Sequence, residues 1–298
     1  MLTVLIPTFH YNALPLVEAI YKQCMAVGIP FEIICQDDAS KSELNIENEK
    51  INSLDYCHFS SNTENLGRGR NINTMVLKAK NDYILLLDCD TMPTHTNFIQ
   101  NYSNEIKKDT TVVFGGIVYH DEKPNKEKLL RWVYGKSRES LSVEQRSKNS
   151  YFSTLTSNLL VKKSIFKSNP FNENITNYGY EDVVWAKQLK EKKIKITHID
   201  NPTYHLNLET SELFLKKIHQ SLDNLNLISK LGLLLPSDNR ILKTYKTIHN
   251  LHLSGLISFF YTTFHKKIEA NLFSNHPSLF LLDIYKLGYY CSINKKAS

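Results

Sequence analysis

The sequence predicts an α/β fold: a mostly parallel sheet flanked by helices, followed by a mainly helical C-terminal region. Three observations carry this. Short apolar runs of strand length recur in the first 200 residues, at Thr3–Pro7, Phe31–Cys35 and Tyr83–Leu87. Helix-spaced segments separate them, as a βαβ series requires. Beyond about Glu209 the alternation stops and Leu-rich helical spacing takes over.

Taken in order, Thr3–Pro7 is a continuous apolar run of the kind buried in a parallel sheet. The polar turn Thr8–Asn12 leads into a helical stretch to Ala26, closed by Gly28-Ile29-Pro30. Phe31–Cys35 is the second strand and ends in Asp37-Asp38-Ala39-Ser40; Tyr56–Ser60 is a candidate third. Gly69–Lys80 reads as a helix, and the very apolar strand Tyr83–Leu87 stops at Asp88. The pattern then loosens. Val112–Gly116, Thr154–Val161 and Lys195–Ile199 are expected strands, Lys123–Lys148 is a charged excursion, and Asp182–Lys192 has helical spacing. This places a boundary near residue 208, between a domain 1–208 and a helical region 209–298. In parallel sheets ligands bind beyond the carboxyl ends of the strands. Pro7–Phe9, Asp37–Ser40 and Asp88–Thr91 all begin where a strand stops, so they are expected at one rim.

The chain has 298 residues, 42% hydrophobic and 22% charged, as in an ordinary globular protein. Its net charge of +6 is uneven: residues 1–205 hold 25 Lys and Arg against 24 Asp and Glu, whereas residues 206–298 hold 11 against 6. A near-neutral body argues against nucleic-acid binding, which needs a basic face. Five cysteines without paired spacing read as reduced thiols, and Cys35 and Cys89 as small buried hydrophobes. The opening strand has no basic leader, so a signal peptide is not expected. The longest uncharged apolar stretch, Leu251 to Phe264, is too short to span a bilayer. These features predict a cytoplasmic protein.

Leu87-Asp88-Cys89-Asp90 carries the chemistry. Two carboxylates after a rigid strand suit Mg²⁺ or Mn²⁺, which bridge protein carboxylates to phosphates. Alone the triplet is weak, because Asp is also a turn residue. Four further segments stand in order around it: Val4-Leu5-Ile6-Pro7-Thr8-Phe9, Ile33-Ile34-Cys35-Gln36-Asp37-Asp38-Ala39-Ser40, Asn65-Leu66-Gly67-Arg68-Gly69-Arg70-Asn71, and Gly179-Tyr180-Glu181-Asp182. Together they resemble a family 2 glycosyltransferase with the GT-A fold, a Rossmann-like, inverting and nucleotide-sugar-dependent type. Gly69 stands where the family usually has Ala.

The resemblance implies roles residue by residue. Pro7, Thr8 and Phe9 would line the donor cleft, Asp38 would receive the base, uracil of a UDP-sugar by the family's habit, and Arg70 and Asn71 would contact the nucleotide. Asp88 would hold the ribose or the metal's outer shell, and Asp90 the metal. Asp182 would be the base that takes the acceptor's proton, with Glu181 either bonding the acceptor or serving as a first-turn charge. His205 stands where related transferases place a further metal ligand; His198, inside a strand, is expected to be packed. Arg68 is expected either near the nucleotide or on the surface. The implied activity is hexosyl transfer in polysaccharide, lipopolysaccharide or glycoconjugate synthesis, with a glycan or lipid-linked acceptor.

Two other readings compete. Asp88-Cys89-Asp90-Thr91 also resembles the D-x-D-x-T of haloacid-dehalogenase phosphatases, but that motif normally follows the first strand, and here two βα units precede it. A non-catalytic nucleotide-sugar binder would be expected to lack the acids, yet Asp90 and Asp182 are present. The basic, aromatic tail is compatible with a peripheral contact at the inner face of a membrane or with a homo-oligomer contact.

Overall fold

The computed structural model describes residues 1–295 as two compact units, one built from residues 1–119, 139–176 and 181–207, the other from 120–138, 177–180 and the described residues from Leu208 onward.

The first unit begins with β1 (Leu2–Thr8), α1 (Leu14–Val27), β2 (Phe31–Asp37), the short α2 (Asn45–Asn48), β3 (Cys57–Ser61), α3 (Arg68–Lys78) and β4 (Tyr83–Leu87). Pro15 in the first turn pre-sets α1, and Gly28 ends it with a left-handed φ of 69°. Then follow β5 (Thr91–Pro93), α4 (Phe98–Lys107), β6 (Val112–Phe114) and β7 (Ile117–Val118). In the second unit lies α5 (Leu129–Tyr134); the chain returns to the first with α6 (Val143–Ser147), β8 (Asn158–Lys162), α7 (Lys163–Ser168), α8 (Glu181–Glu191), β9 (Thr197–His198) and β10 (Thr203–His205).

Seven strands pair in the order β3-β2-β1-β4-β8-β6-β9, and a small second sheet has the order β5-β10-β7. In the main sheet neighbours are parallel except where β8 runs antiparallel to β4 and β6; in the small sheet β10 runs antiparallel to β5 and parallel to β7. Alternation along the buried strands feeds two cores. Val4, Ile6, Leu85 and Leu87 face Val17 and Ile20 of α1 and Phe98 and Tyr102 of α4. Leu5, Ile84 and Leu86 face Ile72 and Met75 of α3 and Trp185 of α8. The expected α/β layering is therefore present, with two differences of detail. Thr154–Ser157 is turn rather than strand, so β8 starts at Asn158. Cys89 lies in the turn after β4 and is only half-buried, unlike Cys35, whose thiol burial pushes up to about 12.

The second unit is helical, with α9 (Ser211–Lys230), α10 (Arg240–Asn250), α11 (Ser254–Leu272) and α12 (Leu279–Lys295) besides α5. Gly288 of α12 lets α11 come close, since a Cβ there would sit 2.7 Å from Tyr261 Cβ. His219 of α9 stacks on Tyr289 with ring centroids 4.1 Å apart. Tyr261 packs edge-on against Tyr285 and Tyr289 of α12, whereas Leu256, Phe259 and Phe260 of α11 stay exposed. Among the described residues no helix is long and apolar enough to cross a membrane.

Candidate active site

The rim is built by strand ends of the first unit. β1 runs out at Thr8, whose hydroxyl is 3.2 Å from Cys35 Sγ; Pro7 and Thr8 are buried and Phe9 is half exposed. One strand over, Asp38 is almost wholly buried and its carboxylate organises the next loop. Oδ1 accepts from Leu66 N–H at 2.9 Å and Asn62 Nδ2 at 2.8 Å, and Oδ2 from Gly67 N–H at 2.8 Å. Gly67 has φ 79°, which a side chain would strain, and α3 starts on it. Asn71 is buried behind this loop, accepting from Gln36 and Asn62 and donating to the Gln36 carbonyl. Its contribution to the rim is therefore positional. Arg70 is exposed and donates from Nε to the Glu173 carbonyl at 3.2 Å.

Beyond β4 the chain turns sharply. The Asp88 carbonyl accepts from both the amide and the hydroxyl of Thr91, and the Asp88 amide donates to the Ser157 carbonyl. This turn holds Asp88 and Asp90 in place. Antiparallel pairing sets His205 opposite Thr91, so a histidine far away in sequence arrives beside Asp90, with Nε2 3.6 Å from Oδ2. The ring stacks on Tyr119 with centroids 5.4 Å apart.

That pair fits a divalent cation. Two bonds of about 2.1 Å span at most about 4.2 Å, so a nitrogen and a carboxylate oxygen at this separation can share one ion. His205 Nδ1 is buried without a hydrogen-bond partner, so stacking on Tyr119 rather than a hydrogen bond orients the ring. The described residues contain no group of three or more His, Cys, Asp or Glu side chains able to hold a metal. A cation here would complete its shell with diphosphate oxygens and water, as Mg²⁺ commonly does.

Arg68 joins the two acidic segments. It opens α3, where a cation opposes the helix dipole, and three carboxylates offset that. Its Nη2 donates to Asp88 Oδ1 at 2.6 Å, its Nη1 donates to the Thr156 hydroxyl at 3.0 Å, and Nη1 stands 4.0 Å from Glu181 Oε1. Burial works against the cation, but Asp88, Glu181 and Asp182 together hold the guanidinium above its ordinary value.

Glu181 and Asp182 open α8, where acidic side chains complement the dipole. Glu181 Oε2 is buried with no hydrogen-bond partner. The Asp182 carboxyl is pushed up to about 7, by burial first and then by Glu181, while Arg68 and the Val183 amide hold it back. A carboxylate poised near neutrality inside a polar cleft suits a general base.

Of the residues named from the sequence, Asp88, Asp90, His205, Glu181 and Asp182 thus converge with Arg68, whereas Asp38 and Asn71 make their hydrogen bonds to the neighbouring strand end and loop and Arg70 sits outside these contacts. His198 is buried and bonds the Ser150 carbonyl at 3.1 Å, packed as expected. Sequence reasoning missed Thr156 and Tyr119 and left Arg68 undecided. Only Arg68 had a signal, a cation opening a helix in the same motif as Arg70.

A family model described as glycosyl transferase family 2 matches residues 3–169. No curated protein matches the chain. Among solved structures, the mannosyltransferase PcManGT from Pyrobaculum calidifontis, in complex with GDP-Man and Mn²⁺, is similar at 13% identity and a TM-score of 0.54, covering 77% of this chain. The match takes in 64% of that protein's length. S. aureus TarS 1–349 is similar at 16% identity and a TM-score of 0.51, covering 99% of this chain and 91% of that one. At these identities the likeness is one of fold.

Proposed function

The chain belongs to glycosyl transferase family 2, and from that premise we propose that it moves a sugar from a nucleoside-diphosphate-sugar, a UDP-sugar, to an acceptor hydroxyl with inversion. The observation that carries this is Asp90 and His205 meeting 3.6 Å apart while Arg68 ties Asp88 to the Glu181 side of the cleft. Donor-side and acceptor-side groups so share one rim.

The roles follow from the contacts. Asp90 and His205 would hold Mn²⁺ or Mg²⁺, which supplies charge neutralisation for a departing diphosphate. Asp88, with Oδ1 engaged by Arg68, keeps Oδ2 for a ribose hydroxyl. Asp38 uses three acceptor positions internally; a carboxylate offers about four, leaving one for an imide N–H of the base. Arg70 has its terminal nitrogens free of the Glu173 contact and can reach phosphate or carbonyl oxygens. Phe9, exposed at the end of β1, offers an apolar face to the donor.

On the acceptor side Asp182 takes the hydroxyl proton as the oxygen attacks the anomeric carbon, and one direct displacement inverts the configuration. Glu181 bonds the acceptor and keeps the Asp182 carboxyl raised. Polysaccharide, lipopolysaccharide or glycoconjugate synthesis is the setting that fits, with a glycan or a lipid-linked acceptor. The residue 1–208 segment is proposed as the catalytic domain. The exposed Leu256, Phe259 and Phe260, close in sequence to Lys266 and Lys267, support a peripheral contact with the cytoplasmic face of a membrane.

The test combines binding and turnover. A thermal-shift panel of nucleoside diphosphates and their sugars, with and without Mn²⁺, is expected to single out UDP and one UDP-sugar, with the shift larger in Mn²⁺. Asp182→Asn is expected to slow transfer by orders of magnitude, with UDP affinity nearly unchanged. If affinity and turnover fell together, Asp182 would be a donor-side or structural residue. Retained anomeric configuration by NMR would rule out the direct displacement.

A further inference from the structure

The helical unit contains a cleft lined by none of the residues assigned above to sugar transfer. It has a volume of about 430 Å³ and is walled by the start of α10, the first half of α12 and the end of α5. That volume lies in the range of small-ligand sites, about 300–1,000 Å³. Ile241, Phe280, Ile284 and Leu287 give it an apolar wall, and Phe280 is 72% exposed at its mouth.

Against this wall stand three cations and one carboxylate: Arg138, Arg240, Lys286 and Asp283. Asp283 is taken, since its Oδ2 accepts from Arg138 Nη2 at 2.8 Å. Arg240 and Lys286 make no ion pair among the described residues. Lys286 Nζ lies 5.7 Å from the centre of the Tyr134 ring. Burial pulls the Lys286 ammonium below the ordinary lysine value, Asp283 raises it and Arg138 lowers it further. Lys286 is only partly exposed and makes no ion pair among the described residues, so the positive charge it shares with Arg240 at this wall is left without a carboxylate of its own. The first amides of α10 do not add to it, because Asn239 Oδ1 already accepts from Ile241 and Leu242.

We propose that this cleft binds an anionic amphiphile, with a phosphate or carboxylate headgroup between Lys286 and Arg240 and an apolar body along Ile241, Phe280, Ile284 and Leu287. The charge excess selects the headgroup and the wall selects the chain. Free inorganic phosphate satisfies only the first half, and a neutral amphiphile only the second. Every residue of the site belongs to the helical unit, and none is among Asp88, Asp90, Glu181, Asp182 and His205.

Calorimetric titration of the full-length protein tests this with decyl phosphate below its micellar concentration, inorganic phosphate and decyl maltoside. Decyl phosphate is expected to bind at least about tenfold more tightly than either, the equivalent of one charge-assisted contact. Lys286→Met removes a partly buried charge that has no ion pair among the described residues, so it is expected to keep or raise the melting temperature and to weaken decyl phosphate about tenfold. Arg240→Gln, on an exposed position, should weaken it without any effect on folding. Asp182→Asn is expected to bind decyl phosphate as the parent does, which separates this site from the catalytic reading. Equal affinity for decyl maltoside, equal affinity for inorganic phosphate, or unchanged binding in both cation variants would each overturn the proposal.

Discussion

Replacing Arg68 by Met isolates the side chain that joins the two acidic segments of the cleft. Its direct loss is the 2.6 Å charge-assisted bond to Asp88, and the Thr156 hydroxyl loses its donor. Such bonds contribute about 1.5–3 kcal/mol when shielded. The Arg68 and Asp88 side chains are 30% and 31% exposed, so water recovers part of this. The expected destabilisation is about 1–2 kcal/mol, well short of the roughly 3–5 kcal/mol for breaking a fully buried pair. The catalytic consequence is larger. Arg68 holds the Asp182 carboxyl down, and without it the Val183 amide alone opposes burial and the neighbouring carboxylates, so the carboxyl moves above about 7. A general base works only when deprotonated, so the rising limb of kcat against pH shifts upward. Turnover at neutral pH falls and part of it returns in alkaline buffer. The same raised carboxyl has a stability signature: a folded-state value above the unfolded one favours the fold at low pH, and that contribution is lost as pH rises through the folded value. Urea titration gives the stability change, and nucleotide release between pH 5.5 and 9 gives the limb. A limb that stays in place or moves down would refute the assignment of Arg68 as the group that sets Asp182.

Further outcomes are specific. Asp90→Ala is expected to abolish transfer and the Mn²⁺ dependence of UDP binding; normal turnover would return Asp90 to a turn residue. Glu181→Gln removes a charge that raises Asp182, so the pH limb should move down, opposite to Arg68→Met, as kcat profiles of the two variants would reveal. Gly115→Ala would place a Cβ inside contact distance of the Asn201 carbonyl, the Tyr102 hydroxyl and Asn158, costing about 3 kcal/mol in urea denaturation; a loss under about 1 kcal/mol would contradict the packing. The chain is expected to float with anionic liposomes at low salt, and Leu256→Ser with Phe259→Ser to abolish flotation without lowering the melting temperature; a parent protein that ignores liposomes would end the membrane reading.

The main sheet was legible because its physics is local. Runs such as Tyr83–Leu87 are apolar on both faces, as only a doubly covered strand allows, and Gly28 marks a helix end by its own backbone freedom. Motif order singled out Asp88, Asp90 and Asp182, and Asp88 and Asp182 both stand beside Arg68. What stayed hidden depends on partners distant in the chain. β5 and β10 have three residues each, too few for periodicity to register, yet their pairing is what brings His205 to Asp90. Thr156 reaches Arg68 only because β8 runs antiparallel to β4, with Asn158 against Leu87, and nothing in the β8 sequence specifies that direction. Tyr119 under His205 and the contacts around Asp38 are likewise tertiary facts.

The small sheet has a consequence for how occupancy and order are linked. Its strands span three, three and two residues, below the usual strand length of about 5–6. The segments that flank it are also tied from outside the ladder, through Asn158 Nδ2 donating to the Gly116 and Asn201 carbonyls and Arg146 Nη2 donating to the Ile199 carbonyl at 3.0 Å. Anything that engages Asp90 and His205 together clamps β5 to β10 at the end of that ladder. Ligand affinity and strand pairing are then two sides of one equilibrium. Amide exchange at Leu206, whose N–H donates to the Asp90 carbonyl at 2.8 Å, becomes a gauge of site occupancy as well as of local order.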